Sequence, residues 1–163
     1  MESISIGLNS TQIISDVRKH LSIIGKRQTD KQGNLLFTGV TLSSKEQDVM
    51  DMYIKAAAQI FSSELVPLVQ YYGTSEGDYL GLTIESTRWS DANQKAFSDN
   101  FNGFITSYII NAVLAADYPE LAKKYESDMQ NHIVAASKLV YAKTPPSLSE
   151  YTLPDMQGEI DDE

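Results

Sequence analysis

The chain is 163 residues long, 42% hydrophobic and 21% charged, enough for one domain with its own core and against wholesale disorder. It contains no cysteine, which excludes disulfides, thiolate catalysis and cysteine-ligated metals. Its net charge of −9 argues against free nucleic acid as a partner, because neutralising phosphates needs clustered Lys and Arg.

No apolar run approaches the ~20 residues that a membrane helix needs, so no membrane partner is expected. The stretch Met1-Glu2-Ser3-Ile4-Ser5-Ile6 lacks the basic patch and apolar core of a secretory signal. Residues 3–6 alternate weakly, the pattern of a short edge strand. Asn9 or Ser10 can cap a helix over 10–24, its side-chain oxygen accepting a free backbone N–H. Ile13, Ile14, Val17, Leu21 and Ile24 form the apolar stripe of that helix, and Gly25 is its natural stop.

Residues 25–42 form a long connection, charged through Lys26, Arg27, Asp30 and Lys31. Gln32-Gly33-Asn34 signals a turn, and Leu35-Leu36-Phe37 is a short apolar clip. Connections of this length inside a domain are commonly functional or ordered by a partner. Leu35 and Phe37 are read either as tucked under the core or as partner contacts. Ser43-Ser44-Lys45-Glu46 is a capping box opening a second helix. Val49, Met52, Tyr53, Ala56, Ala57, Ile60 and Phe61 form its expected stripe, and Pro67 should end or kink it.

A hairpin is expected next. Residues 66–72 are apolar and aromatic, Gly73-Thr74-Ser75-Glu76-Gly77 is turn chemistry, and Leu80, Leu82 and Ile84 alternate with Gly81, Thr83 and Glu85. Tyr71, Tyr72 and Tyr79 cluster near the turn, either because aromatic residues suit strands or as a contact patch.

Residues 90–146 hold the most persistent apolar periodicity. Ser90 or Asp91 caps a third helix striped by Phe97, Phe101, Phe104, Ile105, Tyr108, Ile109, Ala112 and Ala116. Gly103 inside it predicts the close approach of a neighbouring backbone. Pro119 suits the first position of a fourth helix, 119–143, after a turn short enough to make the two helices antiparallel neighbours. Thr144-Pro145-Pro146 stops it. From residue 147 the chain carries six acids (Glu150, Asp155, Glu159, Asp161, Asp162, Glu163) and no base, leaving −3 for residues 1–146. Leu148, Tyr151, Leu153, Met156 and Ile160 are spaced among those acids. This tail is read either as a disordered end or as an extended segment laid on another subunit.

No catalytic constellation stands out. His20 and His132 are isolated along the chain, and Asp128 precedes His132 by one turn without a Ser or Cys companion or a further metal ligand. The glycines match neither a phosphate loop nor a dinucleotide fingerprint. Trp89 is expected to be a core anchor. No enzyme activity, cofactor or metal is expected. The residues alone indicate a mainly α protein: four helices, one small β-hairpin, an extended loop and a C-terminal tail, divided as 1–146 and 147–163.

Several features together resemble the head–tail connector proteins of tailed bacteriophages, also called neck adaptor or head-completion proteins. They are Leu42-Ser43-Ser44-Lys45-Glu46 opening an Ala-rich helix, the strand Tyr79-Leu80-Gly81-Leu82-Thr83-Ile84, and the unit 108–146 with Asp117-Tyr118-Pro119-Glu120-Leu121-Ala122-Lys123-Lys124-Tyr125-Glu126. The likeness is greatest to connectors of phages of gut Bacteroidetes and covers the chain up to Pro146. The connection at 25–42 and the acidic tail are longer than the minimal family pattern. The resemblance implies a connector-type helical bundle and a non-enzymatic virion protein, assembled in the bacterial host cytoplasm. It implies a homo-oligomeric ring, commonly of twelve copies, between portal protein and other neck or tail proteins. DNA would pass through such a ring without specific binding. The alternative is a small intracellular helical adaptor that binds a protein partner through its tail.

Overall fold

A computed structural model describes residues 2–27, 47–75, 79–86, 89, 91–116 and 118–141. Its elements are β1 (Glu2–Asn9), α1 (Ser10–Arg27), α2 (Gln47–Glu64), β2 (Val69–Ser75), β3 (Tyr79–Ser86), α3 (Asp91–Leu114) and α4 (Pro119–Tyr141). The fold is mainly helical with one small antiparallel sheet, as the periodicities predict.

The sheet has three strands, in the order β1-β3-β2. The weak alternation at 3–6 is part of a full eight-residue strand, and β3 is the centre of the sheet rather than one arm of an isolated hairpin. The register sets Ile4 opposite Ile84, Ile6 opposite Leu82 and Leu8 opposite Leu80, while β2 sets Val69 and Tyr71 opposite Ile84 and Leu82. Period two puts this apolar set on one face, where Ile6, Val69, Leu80, Leu82 and Ile84 are buried. That face lies against α2 and α3. A lone hairpin of this length would be marginal; the third strand and the helices under it make the sheet stable.

Asn9 closes β1 and opens α1, its Oδ1 accepting the N–H of Gln12 at 3.0 Å. Ile13, Ile14, Val17 and Leu21 are buried as predicted. The helix does not stop at Gly25 but continues to Arg27. One interior glycine costs about 1 kcal/mol relative to Ala, which leaves a helix intact when the flanking residues favour it. Lys and Arg, which follow at 26 and 27, are good helix formers.

The helix α2 departs from the expected stripe. Its buried residues are Met50, Ile54, Ala57, Ala58 and Phe61, with Leu65 just beyond its end, whereas Val49, Met52 and Ile60 face outward. Two apolar stripes therefore run along α2, and only one meets the core. The capping box at 43–46 lies outside the described residues. Pro67 ends α2 as expected: the helix stops at Glu64, and the Val66–Pro67 peptide is cis.

The organising element is α3. Phe97, Phe101, Phe104, Ile105, Ile109, Ile110 and Leu114 are all buried, and so are Thr106 and Ser107, giving burial on most sides of the helix. On the α2 side, Phe61 meets Phe97, Phe101 and Phe104 with ring centroids 5.7, 5.0 and 5.2 Å apart. Trp89 packs edge-on against Phe97 at 5.7 Å, the anchoring role expected of it. On its other side α3 makes its most extensive contact with α4. The turn between them is held by Tyr118 N donating to Leu114 O, and by Tyr118 O accepting from Leu121 N and Ala122 N. Asn111 Nδ2 donates to Ala122 O across the pair. Further along, Asn100 and Gly103 meet His132, so the two helices run antiparallel. At the far end the Tyr141 hydroxyl lies 3.1 Å from the carbonyl oxygens of both Leu65 and Val66, tying α4 to the turn that follows α2.

Candidate functional site

Of the expected partner-contact residues, Tyr71 has a described side chain. It is half-buried and packed against the core, and burial pushes its hydroxyl pKa above the usual value. The side chains of Tyr72 and Tyr79 lie outside the described residues, as do Leu35, Phe37, Leu148, Tyr151, Leu153, Met156 and Ile160.

Two surface features emerge instead. The first is the outward stripe of α2. Val49, Met52 and Ile60 are 46%, 70% and 39% exposed. With the intervening Ala56 their spacings are three, four and four residues, which align on one helix face. Single exposed apolar residues are ordinary, but an aligned row on one helix is a candidate contact surface.

The second is a cleft of about 310 Å³ walled by three helices. Asp16 and His20 come from α1, Asp99, Asn102, Gly103, Thr106, Ser107 and Ile110 from α3, and Tyr125, Asp128 and His132 from α4. The two histidines, isolated along the chain, line the same cleft. His20 and Asp99 are exposed at its rim, while Thr106 and Ser107 are buried in its wall.

Gly103 makes this arrangement possible. A Cβ added there would stand 2.6 Å from His132 Nε2, inside any permitted contact. The glycine does admit a close neighbour, but that neighbour is an imidazole ring rather than the predicted backbone. His132 Nδ1 lies 3.1 Å from Asn100 Oδ1. Asn100 Nδ2 donates to Ala96 O at 2.8 Å, which orients the amide oxygen as the acceptor for His132 Nδ1–H. In the neutral ring Nε2 is then a bare acceptor.

Burial holds the His132 pKa below the ordinary 6.5, and the opposing pull of Asp128 is the smaller effect. Burial also raises the Tyr125 pKa, with Asp128 adding to it. The unfolded chain takes up the His132 proton first as pH falls below 6.5, so stability from the neutral ring is full above that pH. It is lost as pH falls through the depressed folded value. His132 should therefore titrate below 6.5 in an NMR series. Gly103→Ala should push the ring out and return its pKa toward 6.5. An unchanged titration in that variant would show that Gly103 does not seat the ring.

Three aspartates border the cleft. Asp16 is 3.5 Å from Lys19 and Asp99 is 2.8 Å from Lys95, both pairs within one helix with the lysine in solvent, and such pairs are worth little. Asp128 forms no salt bridge or hydrogen bond with a described residue. Among the described residues no group of three or more His, Asp or Glu side chains is arranged to hold a metal ion. The histidine cluster carried only half a signal in the sequence, the Asp128–His132 spacing; its α1 and α3 members are set by packing. Searches against protein-family models, curated proteins and solved structures find no match for this chain.

Proposed function

We propose that the chain is a structural subunit of a tailed-bacteriophage neck, one wedge of a ring that bridges portal and tail. The observation that carries this reading is the second apolar stripe of α2, formed by Val49, Met52 and Ile60, which face away from the core of the described residues. In a cyclic ring the contacts are heterologous, so each subunit presents two different adhesive faces. The α2 stripe supplies one. Val134 on α4 and Ile23 on α1, both exposed, are candidates for the other. The antiparallel α3–α4 pair suits a wedge. The net charge of −9 suits a channel that lets DNA slide rather than bind.

The test is the mass and shape of the purified chain, alone and mixed with its portal protein. Ring-shaped particles with a mass many times 18.1 kDa are expected. A monomer at every concentration, with no ring beside portal, would overturn the reading in favour of a small helical adaptor.

A further inference from the structure

We propose that the outward stripe of α2 seats the C-terminal segment of a second copy of this chain, with Leu148, Tyr151 and Leu153 laid along Val49, Met52 and Ile60. The inference rests on the ring reading and names the occupant of one of its adhesive faces. The end of α4 gives the first reason. The hydroxyl of Tyr141, the last residue of α4, lies 3.1 Å from the Leu65 and Val66 carbonyl oxygens, just past the end of α2. The chain therefore leaves the helical body near one end of the stripe, with residues 142–163 still to follow.

Length gives the second. From Val49 to Ile60 the stripe spans about 17 Å of helix, at roughly 1.5 Å per residue. An extended segment from Leu148 to Leu153 spans about the same, at roughly 3.3 Å per residue. The linker before it decides between the chain's own stripe and a neighbour's. Pro145 and Pro146 each fix their own φ and hold the residue before them extended. At about 3.1 Å per residue, the six residues 142–147 then span roughly 19 Å. Laid on the chain's own α2, the linker would cover the stripe with Ala142, Lys143, Thr144, Pro145, Pro146 and Ser147 and carry Leu148 beyond it. Directed away from the body, the same linker brings the apolar residues to a neighbouring copy. Charge opposes the contact: Glu150 and Asp155 approach a helix that opens with Asp48 and Asp51 and has Lys55 as its one base. Apolar burial must hold the segment against that repulsion, so added salt should tighten it.

Photo-crosslinking of the full chain tests this, with benzoylphenylalanine placed at Met52 or at Ile60 in a mixture of unlabelled and nitrogen-15-labelled copies. Mass spectrometry should find either position joined to residues 147–160, with light and heavy peptides linked to each other. The full-length variant Leu148→Ser, Tyr151→Ser, Leu153→Ser should weaken association by roughly a hundredfold or more, with melting unchanged. Crosslinks confined to single copies overturn the proposal, because the segment then lies on its own chain. An assembled chain whose crosslinks from α2 map to residues 28–46 or to a helix of the neighbour also overturns it, and leaves the ring reading standing. So does an assembly that the triple serine variant does not weaken. A chain that stays at 18.1 kDa at every concentration overturns the ring reading and this inference with it.

Discussion

Replacing Phe61 with Ala is expected to destabilise the fold by about 3–5 kcal/mol, a large part of the ~5–15 kcal/mol that holds a domain of this size together. Phe61 is fully buried and is the one side chain of α2 that touches three rings of α3. Its removal forfeits the transfer free energy of the ring and also leaves a cavity. Phe97, Phe101 and Phe104 cannot easily collapse into that space, because each is itself held in place by packing around α3. The aromatic pairs add about 0.5–1.5 kcal/mol each beyond the buried area. Phe61→Leu keeps most of the volume and should cost less than half as much. Urea unfolding of the three proteins gives the measurement. A loss below about 1 kcal/mol for Phe61→Ala would show that the cluster relaxes and that α2 is not anchored there.

Met52→Glu combined with Ile60→Glu should abolish assembly while leaving the subunit folded. Both side chains face outward, and charged residues at exposed helix positions rarely change stability by more than about 0.5 kcal/mol. If the stripe is covered by a neighbouring copy, each side chain contributes about 1.5–3 kcal/mol of apolar burial to the contact. Losing both weakens association by a hundredfold or more, before the cost of burying two carboxylates is added. Native-like circular dichroism together with a collapse of the mass to 18.1 kDa is the expected result. An assembled mass that survives the double substitution would place the subunit contact elsewhere, with Val134 and Ile23 the next positions to change.

The sequence was enough to locate the helices, because their signals are local. The Asn9 cap, the Pro67 stop, and Pro119 opening α4 after a short turn each act within a few residues of chain. The alternation in β3 likewise marked a strand, and Phe97, Phe101 and Phe104 marked the side of α3 that meets α2. What periodicity alone could not decide is which of two overlapping stripes on α2 is core. Positions 49, 52 and 60 and positions 50, 54, 57, 58 and 61 both read as helical faces. The choice is made by the Phe cluster on α3, which admits Phe61 and leaves Met52 outside. The third strand was faint for a similar reason. The alternation of Ile4, Ile6 and Leu8 is short, and only pairing with β3 gives it a partner for every residue.

The cleft was beyond the sequence altogether, apart from the Asp128–His132 spacing. Asp16 and His132 are 116 positions apart and become neighbours across the cleft only because α1 and α4 both pack on α3. The use of Gly103 was hidden as well: the residue signals that something comes close, but which atoms come close depends on the register between α3 and α4. Local chemistry therefore determined the elements of this protein. Long-range packing, which depends on the shapes of side chains distant in sequence, decided which faces are buried, which stripe of α2 stays outside the core, and which polar groups are gathered in one cleft.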